Sequence, residues 1–251
     1  MTKPSIIALI PARAGSKRVL DKNIKLLGSH PLLAYTIGAA LESGIFNKII
    51  VSTDSEQYAE LARSYGAEVP FLRPAHLATA TSPDIDWVEF TLQQLHVQGQ
   101  DFDCFSLLRP TSPFRQAKTI RRAWFEFLSD RSIDSLRAVE KCQQHPGKMW
   151  VLRGSRMFPL MPLTPVEQPW HSNQYAALPE VFVQNASLEM AWTRVVLQGR
   201  TIGGHVFKPF ITEALEGFDI NTPDDWMLAE CYLARSDVSL PAVYLQELLE
   251  N

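Results

Sequence analysis

Cysteine is scarce in this chain and too scattered to organise it. Cys104, Cys142 and Cys231 are odd in number and show no C-x-x-C spacing, so neither a disulfide framework nor a zinc site is suggested. Cys104 stands inside an apolar run and reads as a core residue. No apolar stretch approaches the length that spans a bilayer, and no long apolar leader opens the chain. A soluble protein of the reducing cytoplasm is the expectation. The histidines lack H-x-x-x-H and H-E-x-x-H spacing, which argues against a histidine metal centre. Ser112 lies in no G-x-S-x-G elbow, which argues against a serine hydrolase. Both glycine signatures of common nucleotide sites, G-x-x-x-x-G-K-[ST] and G-x-G-x-x-G, are missing. With 24 basic and 27 acidic residues, a formal net charge of −3, the chain has no excess positive charge for broad nucleic-acid binding.

What the chain does have is concentrated near its start. The run Ile6-Ile7-Ala8-Leu9-Ile10 is short, unbroken and rich in isoleucine, the pattern of a strand buried on both faces. The loop over 11–25 that follows carries Arg13, Lys17, Arg18, Lys22 and Lys25 around Ala14-Gly15-Ser16. Small residues let backbone N–H groups approach an anion, and the cations supply charge at the strand end where open α/β sheets bind ligands. A triphosphate cradle is one reading of this loop, and a solvated basic turn is the other.

A chain of 251 residues, 46% hydrophobic and 20% charged, has enough material for one good α/β core. Helical patterns over 31–42, 55–65, 85–97, 117–128 and 224–234 alternate with apolar runs over 49–51, 67–70, 102–108 and 135–139. That alternation predicts right-handed crossovers and an α/β fold with a mostly parallel sheet flanked by helices. Val181-Phe182-Val183 is expected to re-enter the core as a strand, residues 202–206 to form another strand, and 191–197 to be helix or strand. Between 143 and 179 the texture changes: six prolines fall there, predicting an inserted subdomain of loops and short strands within a single domain over 1–251. Thr222 is expected to cap the last helix, with Pro223 in its first turn. Just before it, Asp219 and Asn221 are two apart and face one way in extended backbone. That suits a metal site, and turn formation or helix capping accounts for the pair equally well.

The motifs carry further meaning together. P-A-R-A-G-S-K-R followed by D-K-N-I-K resembles the signature of the acylneuraminate cytidylyltransferases. The resemblance continues through I-I-V-S-T-D at 49–54, Y-G-A-E-V-P-F-L-R-P at 65–74 and L-R-P-T-S-P-F-R at 108–115. It extends through His145-Pro146-x-Lys148-Met149, Leu178-Pro179 and Gln184-Asn185-Ala186, covering roughly residues 5–235. It implies a Rossmann-like nucleotidyltransferase fold, a homodimer formed through the insertion, and CMP transfer from CTP to the anomeric hydroxyl of a 2-keto-3-deoxy sugar acid, releasing pyrophosphate with Mg2+. Position by position it implies that the backbones of Ala12 and Ala14, and the side chains of Arg13, Ser16, Lys17, Lys22, Asn23 and Arg73, bind CTP. Arg109, Thr111, Ser112, Lys148 and Asn185 would face the sugar. Glu189, if buried in the pocket, would suit a sugar amine or extra hydroxyls, and a salt bridge at an interface accounts for it at least as well. Asp219, with Asn221, would hold the metal, and Arg13, Lys22 and Asp219 would be catalytic. The chain departs from the family pattern at Asn221 for Asp, Arg109 for Gln, Val183 for Arg and Glu189 for Tyr, and it lacks an arginine near 174–177. Another sugar or nucleotide, or a catalytically weak nucleotide-binding paralogue, stands as the alternative.

Overall fold

The computed structural model describes residues 3–162, 165 and 167–245. Leu163, Thr164 and Val166 of the expected insertion lie outside the described residues, as do both ends of the 1–251 domain. Contacts divide the chain into two units, Met1–Ala138 with Asn185–Asn251, and Val139–Gln184.

The first unit is built on β1 (Ile6–Pro11), whose continuous apolar sequence follows from burial on both faces. Ile6, Ala8 and Ile10 enter one core cluster, and Ile7 and Leu9 enter another. Two residue-pair strands, β2 (Leu26–Leu27) and β3 (His30–Pro31), close the loop after β1 as a small antiparallel pair. Helix α1 (Leu32–Ser43) ends at Gly44, whose φ of 64° is the left-handed conformation a helix stop favours in glycine. Strand β4 (Lys48–Ser52) pairs parallel with β1. Helix α2 (Glu56–Ser64) begins under Ser55, whose hydroxyl accepts from the Tyr58 N–H. Helix α3 (Asp84–Val97) leads to β5 (Cys104–Leu107), again parallel to β1, and α4 (Ala117–Leu128) follows.

Strand β6 (Ser135–Lys141) leaves this unit for the second. There β7 (Trp150–Arg153) and β8 (Arg156–Pro159) form an antiparallel hairpin. His145 braces the chain beside it. Its Nδ1 accepts from the Gly147 N–H at 2.9 Å, which leaves Nε2 to donate to the Pro179 carbonyl at 3.0 Å. A Cβ on Gly147 would sit 2.8 Å from Trp170 Cβ, so the close approach requires glycine.

Strand β9 (Phe182–Trp192) returns to the first unit and pairs antiparallel with β5. Helix α5 (Thr193–Leu197), β10 (Phe207–Ile211) and α6 (Pro223–Leu233) complete it. The sheet order is β10-β6-β9-β5-β1-β4, mostly parallel, with α1, α2 and α4 packed on one face and α3 and α5 on the other. A third cluster, with Val19, Leu27, Phe114, Ile220 and Trp226, packs the loop after β1 against α6. Among the described residues no helix is long and apolar enough to cross a membrane.

Three expected strands differ. Residues 67–70 form a single bridge, Ile50 to Glu68, and Pro70 has no N–H with which to continue it. Phe182 and Val183 are strand but exposed, and the buried stretch of β9 starts at Ser187. Residues 202–206 are irregular because Asp134 takes the N–H groups of His205 and Val206 on its own carboxylate, in place of a strand partner.

Candidate functional site

At the carboxyl ends of β1 and β5 the first unit holds a cavity of about 250 Å³. Six basic residues line it, Arg13, Lys17, Arg18, Lys22, Arg73 and Arg109, against one carboxylate, Asp84. An imbalance of that size suits a polyanion. Another cavity of about 470 Å³, beside Phe114 and Tyr232, has acidic and basic groups in near balance and offers no such charge.

The loop after β1 is held open by its own hydrogen bonds. Ser16 Oγ donates to the Val19 carbonyl at 2.7 Å and accepts from the Lys22 N–H at 2.8 Å. Asn23 Nδ2 donates to the Arg13 carbonyl at 3.2 Å. Gly15 turns the chain at φ +68°, and a Cβ there would meet no atom within 4 Å, so only its backbone conformation demands glycine. The N–H of Ala12 donates to the Ser52 carbonyl at 2.9 Å, and that of Ala14 to Asp54 Oδ1 at 2.8 Å. Both backbone donors are thereby engaged, leaving the carbonyls of these alanines for any contact with a base. Lys25 departs from the cationic cluster and lies 4.1 Å over the Trp226 ring.

Arg73 enters the cavity from behind β4. Its Nε donates to Ser52 Oγ at 2.9 Å and its Nη2 to the Ser52 carbonyl at 2.8 Å, with the guanidinium 4.5 Å over the Trp87 ring. Burial pulls its pKa down to about 10, against the opposing pull of Asp54 and Asp84, so it remains a cation at neutral pH. Burial likewise lowers the Lys22 ammonium below its usual range, with Asp219 as the main opposing influence. Lys22 Nζ donates to the Ile220 carbonyl, which ties the first loop to the segment before α6. That segment is tied in turn to the loop after β5, because the Ile220 N–H donates to the Thr111 carbonyl at 2.9 Å.

Asp219 Oδ1 is buried without a hydrogen-bond partner among the described residues, and its Oδ2 accepts from Asn221 Nδ2. The capping work falls to other residues: Thr222 and Asp225 form a reciprocal capping box on α6. An orphaned buried carboxylate oxygen beside an amide oxygen fits a hard divalent cation. Among the described residues no cluster of three or more His, Cys, Asp or Glu is placed to hold a metal. With this pair from the protein, the remaining ligands would come from phosphate and water, as is usual for magnesium.

The cavity thus gathers Arg13, Ser16, Lys17, Lys22, Asn23, Arg73, Arg109, Thr111 and Asn221 from the sequence-based set. Ser112 is buried behind it, its hydroxyl without a described partner. Asn185 donates through Nδ2 to Thr212 Oγ1 at 2.8 Å. Lys148 belongs to the second unit, with its Nζ 5.1 Å over the Tyr175 ring. Glu189 does not line the cavity. Both its carboxylate oxygens are taken by arginines, Oε1 by Arg109 at 2.9 Å and Oε2 by Arg137. The carboxylate of Glu189 is thus held in a salt bridge rather than presented to the cavity.

Sequence reasoning passed over Asp84, Trp87, Thr79 and Ser82, which line the cavity from the loop before α3 and its first turn. Their one sequence signal was Ser82-Pro83-Asp84, an acidic helix start directly after a polar loop.

A parallel α/β sheet with a polyphosphate-sized concentration of cations at its strand ends defines a nucleotide-handling α/β protein. The family model described as cytidylyltransferase matches residues 7–141. The chain is 36% identical over 231 residues to the CMP-N,N'-diacetyllegionaminic acid synthase of Legionella pneumophila, covering 90% of this chain and 94% of that protein. It is 48% identical over 121 residues to an N-acylneuraminate cytidylyltransferase of Escherichia coli, covering 48% of this chain and 28% of that longer protein. Among solved structures, CMP:2-keto-3-deoxy-manno-octonic acid synthetase, complexed with CTP, superposes with a TM-score of 0.67 at 13% identity, covering 92% of this chain and 98% of that one. The chain belongs to the cytidylyltransferase family, in the group of the acylneuraminate cytidylyltransferases, and it is an enzyme.

Proposed function

We propose that this enzyme transfers CMP from CTP to the anomeric hydroxyl of a 2-keto-3-deoxy sugar acid of the nonulosonate type. The observation that carries the reading is the cluster of six cations beside the orphaned Asp219 carboxylate. The acceptor oxygen attacks the α-phosphorus, the bond from that phosphorus to the α–β bridging oxygen breaks, pyrophosphate leaves, and the hydroxyl proton is lost to solvent. Arg13 and Lys22 stabilise negative charge that develops on the α-phosphate and the leaving pyrophosphate. Ser16, Lys17, Asn23 and Arg73 hold the triphosphate, while the Ala12 and Ala14 carbonyls face the cytosine amine. Arg109, Thr111, Ser112 and Asn185 serve the sugar side. Asp219 and the Asn221 amide oxygen would hold Mg2+, which when bound neutralises triphosphate charge. Similarity to the legionaminic acid enzyme along nearly the whole chain supports a nonulosonate as acceptor. The second unit carries the homodimer contact in this reading, supported by exposed Leu152, Met157 and Phe158 on its hairpin.

The test is magnesium-dependent pyrophosphate release with each of the four nucleoside triphosphates against a panel of 2-keto sugar acids. Release with CTP and one acid is expected. Release with a different triphosphate, or with a sugar lacking the acid, would replace the reading.

Two variants probe the supports of the site. Asp54→Ala frees the Ala14 N–H and loosens the first loop. The KM for CTP is expected to rise about tenfold, the equivalent of one lost charge-assisted hydrogen bond, with kcat changed less. Asn221→Asp removes the amide donor that now faces Asp219 and sets two carboxylates together, which a divalent cation would relieve. The Mg2+ concentration for half-maximal rate should fall by about threefold or more. An unchanged Mg2+ requirement would place the metal elsewhere.

A further inference from the structure

A carboxylate inside a cationic cavity opposes the binding of a polyanion, so Asp84 needs a reason to be there. Its Oδ2 accepts from Arg109 Nη2 at 2.7 Å, and its Oδ1 accepts from Trp87 Nε1 at 2.8 Å. The same Arg109 Nη2 donates to Glu189 Oε1 at 2.9 Å, and Glu189 Oε2 accepts from Arg137 Nη1. The four residues form a chain of alternating charge, Asp84–Arg109–Glu189–Arg137, drawn from α3, the loop after β5, β9 and β6. Glu189 is the deepest member, with its side chain 6% exposed. Both hydrogens of Arg109 Nη2 are engaged, and its Nε and Nη1 make no hydrogen bond among the described residues. A guanidinium clamped in plane by two carboxylates offers its remaining donors in a fixed direction.

The charge count gives Arg137 its part. Arg109 between Asp84 and Glu189 alone would sit in a group of net charge −1, which repels an anion. Arg137, which does not line the cavity, brings the group to zero and leaves Arg109 able to attract one. We propose that Glu189 and Arg137 are positioning residues for the acceptor. With Asp84 they hold the Arg109 guanidinium so that its remaining donors take an anionic group of the acceptor, and neither Glu189 nor Arg137 touches it. This rests on the proposed CMP transfer to a sugar acid. Arg109 and Glu189, two of the departures from the family pattern on the sugar side, are then parts of a single device.

The experiment measures KM for the acid and for CTP separately, after wild-type turnover of CTP with an acid has been established. Absence of that turnover defeats the reading of function and this inference with it. Given turnover, Arg137→Gln should raise the acceptor KM about tenfold and leave the CTP KM within about twofold. Adding Glu189→Gln restores neutrality, so the double variant should recover to within about threefold of wild type. A CTP KM that rises in step with the acceptor KM would overturn the proposal. So would a double variant worse than Arg137→Gln alone, since a merely structural role gives additive losses. Melting curves show whether Arg137→Gln folds. If it does not, Glu189→Gln alone decides. The group then carries +1, which by itself favours the acid, so an acceptor KM raised about threefold with CTP KM unchanged reports lost orientation of Arg109 and supports the proposal. An unchanged or lowered acceptor KM overturns it.

Discussion

Asp219→Asn should lower pyrophosphate release by about a thousandfold while shifting the melting temperature by no more than about 2 °C, the usual scale for loss of a centre that stabilises transferring phosphate. The fold should tolerate the change because Asp219 carries little of it. One carboxylate oxygen has no partner among the described residues, and the other is held by the Asn221 amide. The start of α6 is secured by Thr222 and Asp225, and the backbone of the segment by the bond from the Ile220 N–H to the Thr111 carbonyl. What the substitution removes is the charge that a cation needs and that partly offsets the cationic wall at Lys22. CTP binding measured without Mg2+ should therefore persist in the variant. Arg13→Ala should abolish turnover in the same assay but weaken CTP binding as well, because Arg13 lines the cavity directly. Retention of activity within about tenfold of wild type by Asp219→Asn would remove Asp219 from the catalytic set.

The elements that sequence makes legible are those whose signal is local. The unbroken Ile6–Ile10 run shows a strand buried on two faces, and Gly44 marks the end of α1. Thr222-Pro223 marks the start of α6. The cations of the first loop are legible for the same reason, being close in the chain and at the end of a strand. Partners are not legible. Arg109 meets Asp84 25 residues away and Glu189 80 residues away, and Glu189 meets Arg137 52 residues away. Read singly, Arg109 suggests an anion ligand and Glu189 suggests an amine ligand; only the register of β5 against β9, with Leu107 opposite Glu189, shows that they neutralise each other. The failure at 202–206 has a similar source. Ile202 and Val206 flank two glycines, of which Gly204 sits at φ 70°, and Asp134, 71 residues before His205, takes the N–H groups of His205 and Val206.

Arg115 offers the largest expected effect on stability. Its side chain is buried, and its donors reach three elements. Nη1 donates to the carbonyls of Arg109 and Ser187, and Nη2 donates to Thr36 Oγ1 at 2.9 Å, joining the loop after β5, β9 and α1. Among the described residues no carboxylate pairs with the guanidinium, and Nε has no partner there. Burial pulls the pKa down to about 9, still high enough that the group enters the core as a cation at neutral pH. Two effects oppose each other in Arg115→Met. Removing the cation relieves its desolvation penalty, which is moderated by the weak hydration of guanidinium. Against that, the Ser187 carbonyl loses a buried charged donor and the Arg109 carbonyl keeps only the Ser112 N–H at 3.3 Å, at about 1–3 kcal/mol for each lost bond, together with a charge-assisted bond to the threonine hydroxyl. Methionine fills most of the volume but replaces none of those donors. The second effect should win, with a net loss of about 3 kcal/mol and a melting temperature lower by about 6–12 °C for a chain of this size. Because one of the released carbonyls belongs to Arg109, the acceptor KM should rise in the same variant while the CTP KM stays close to wild type. An unchanged melting temperature would mean that desolvation and hydrogen bonding cancel at this site, and that packing alone holds the loop after β5 against β9.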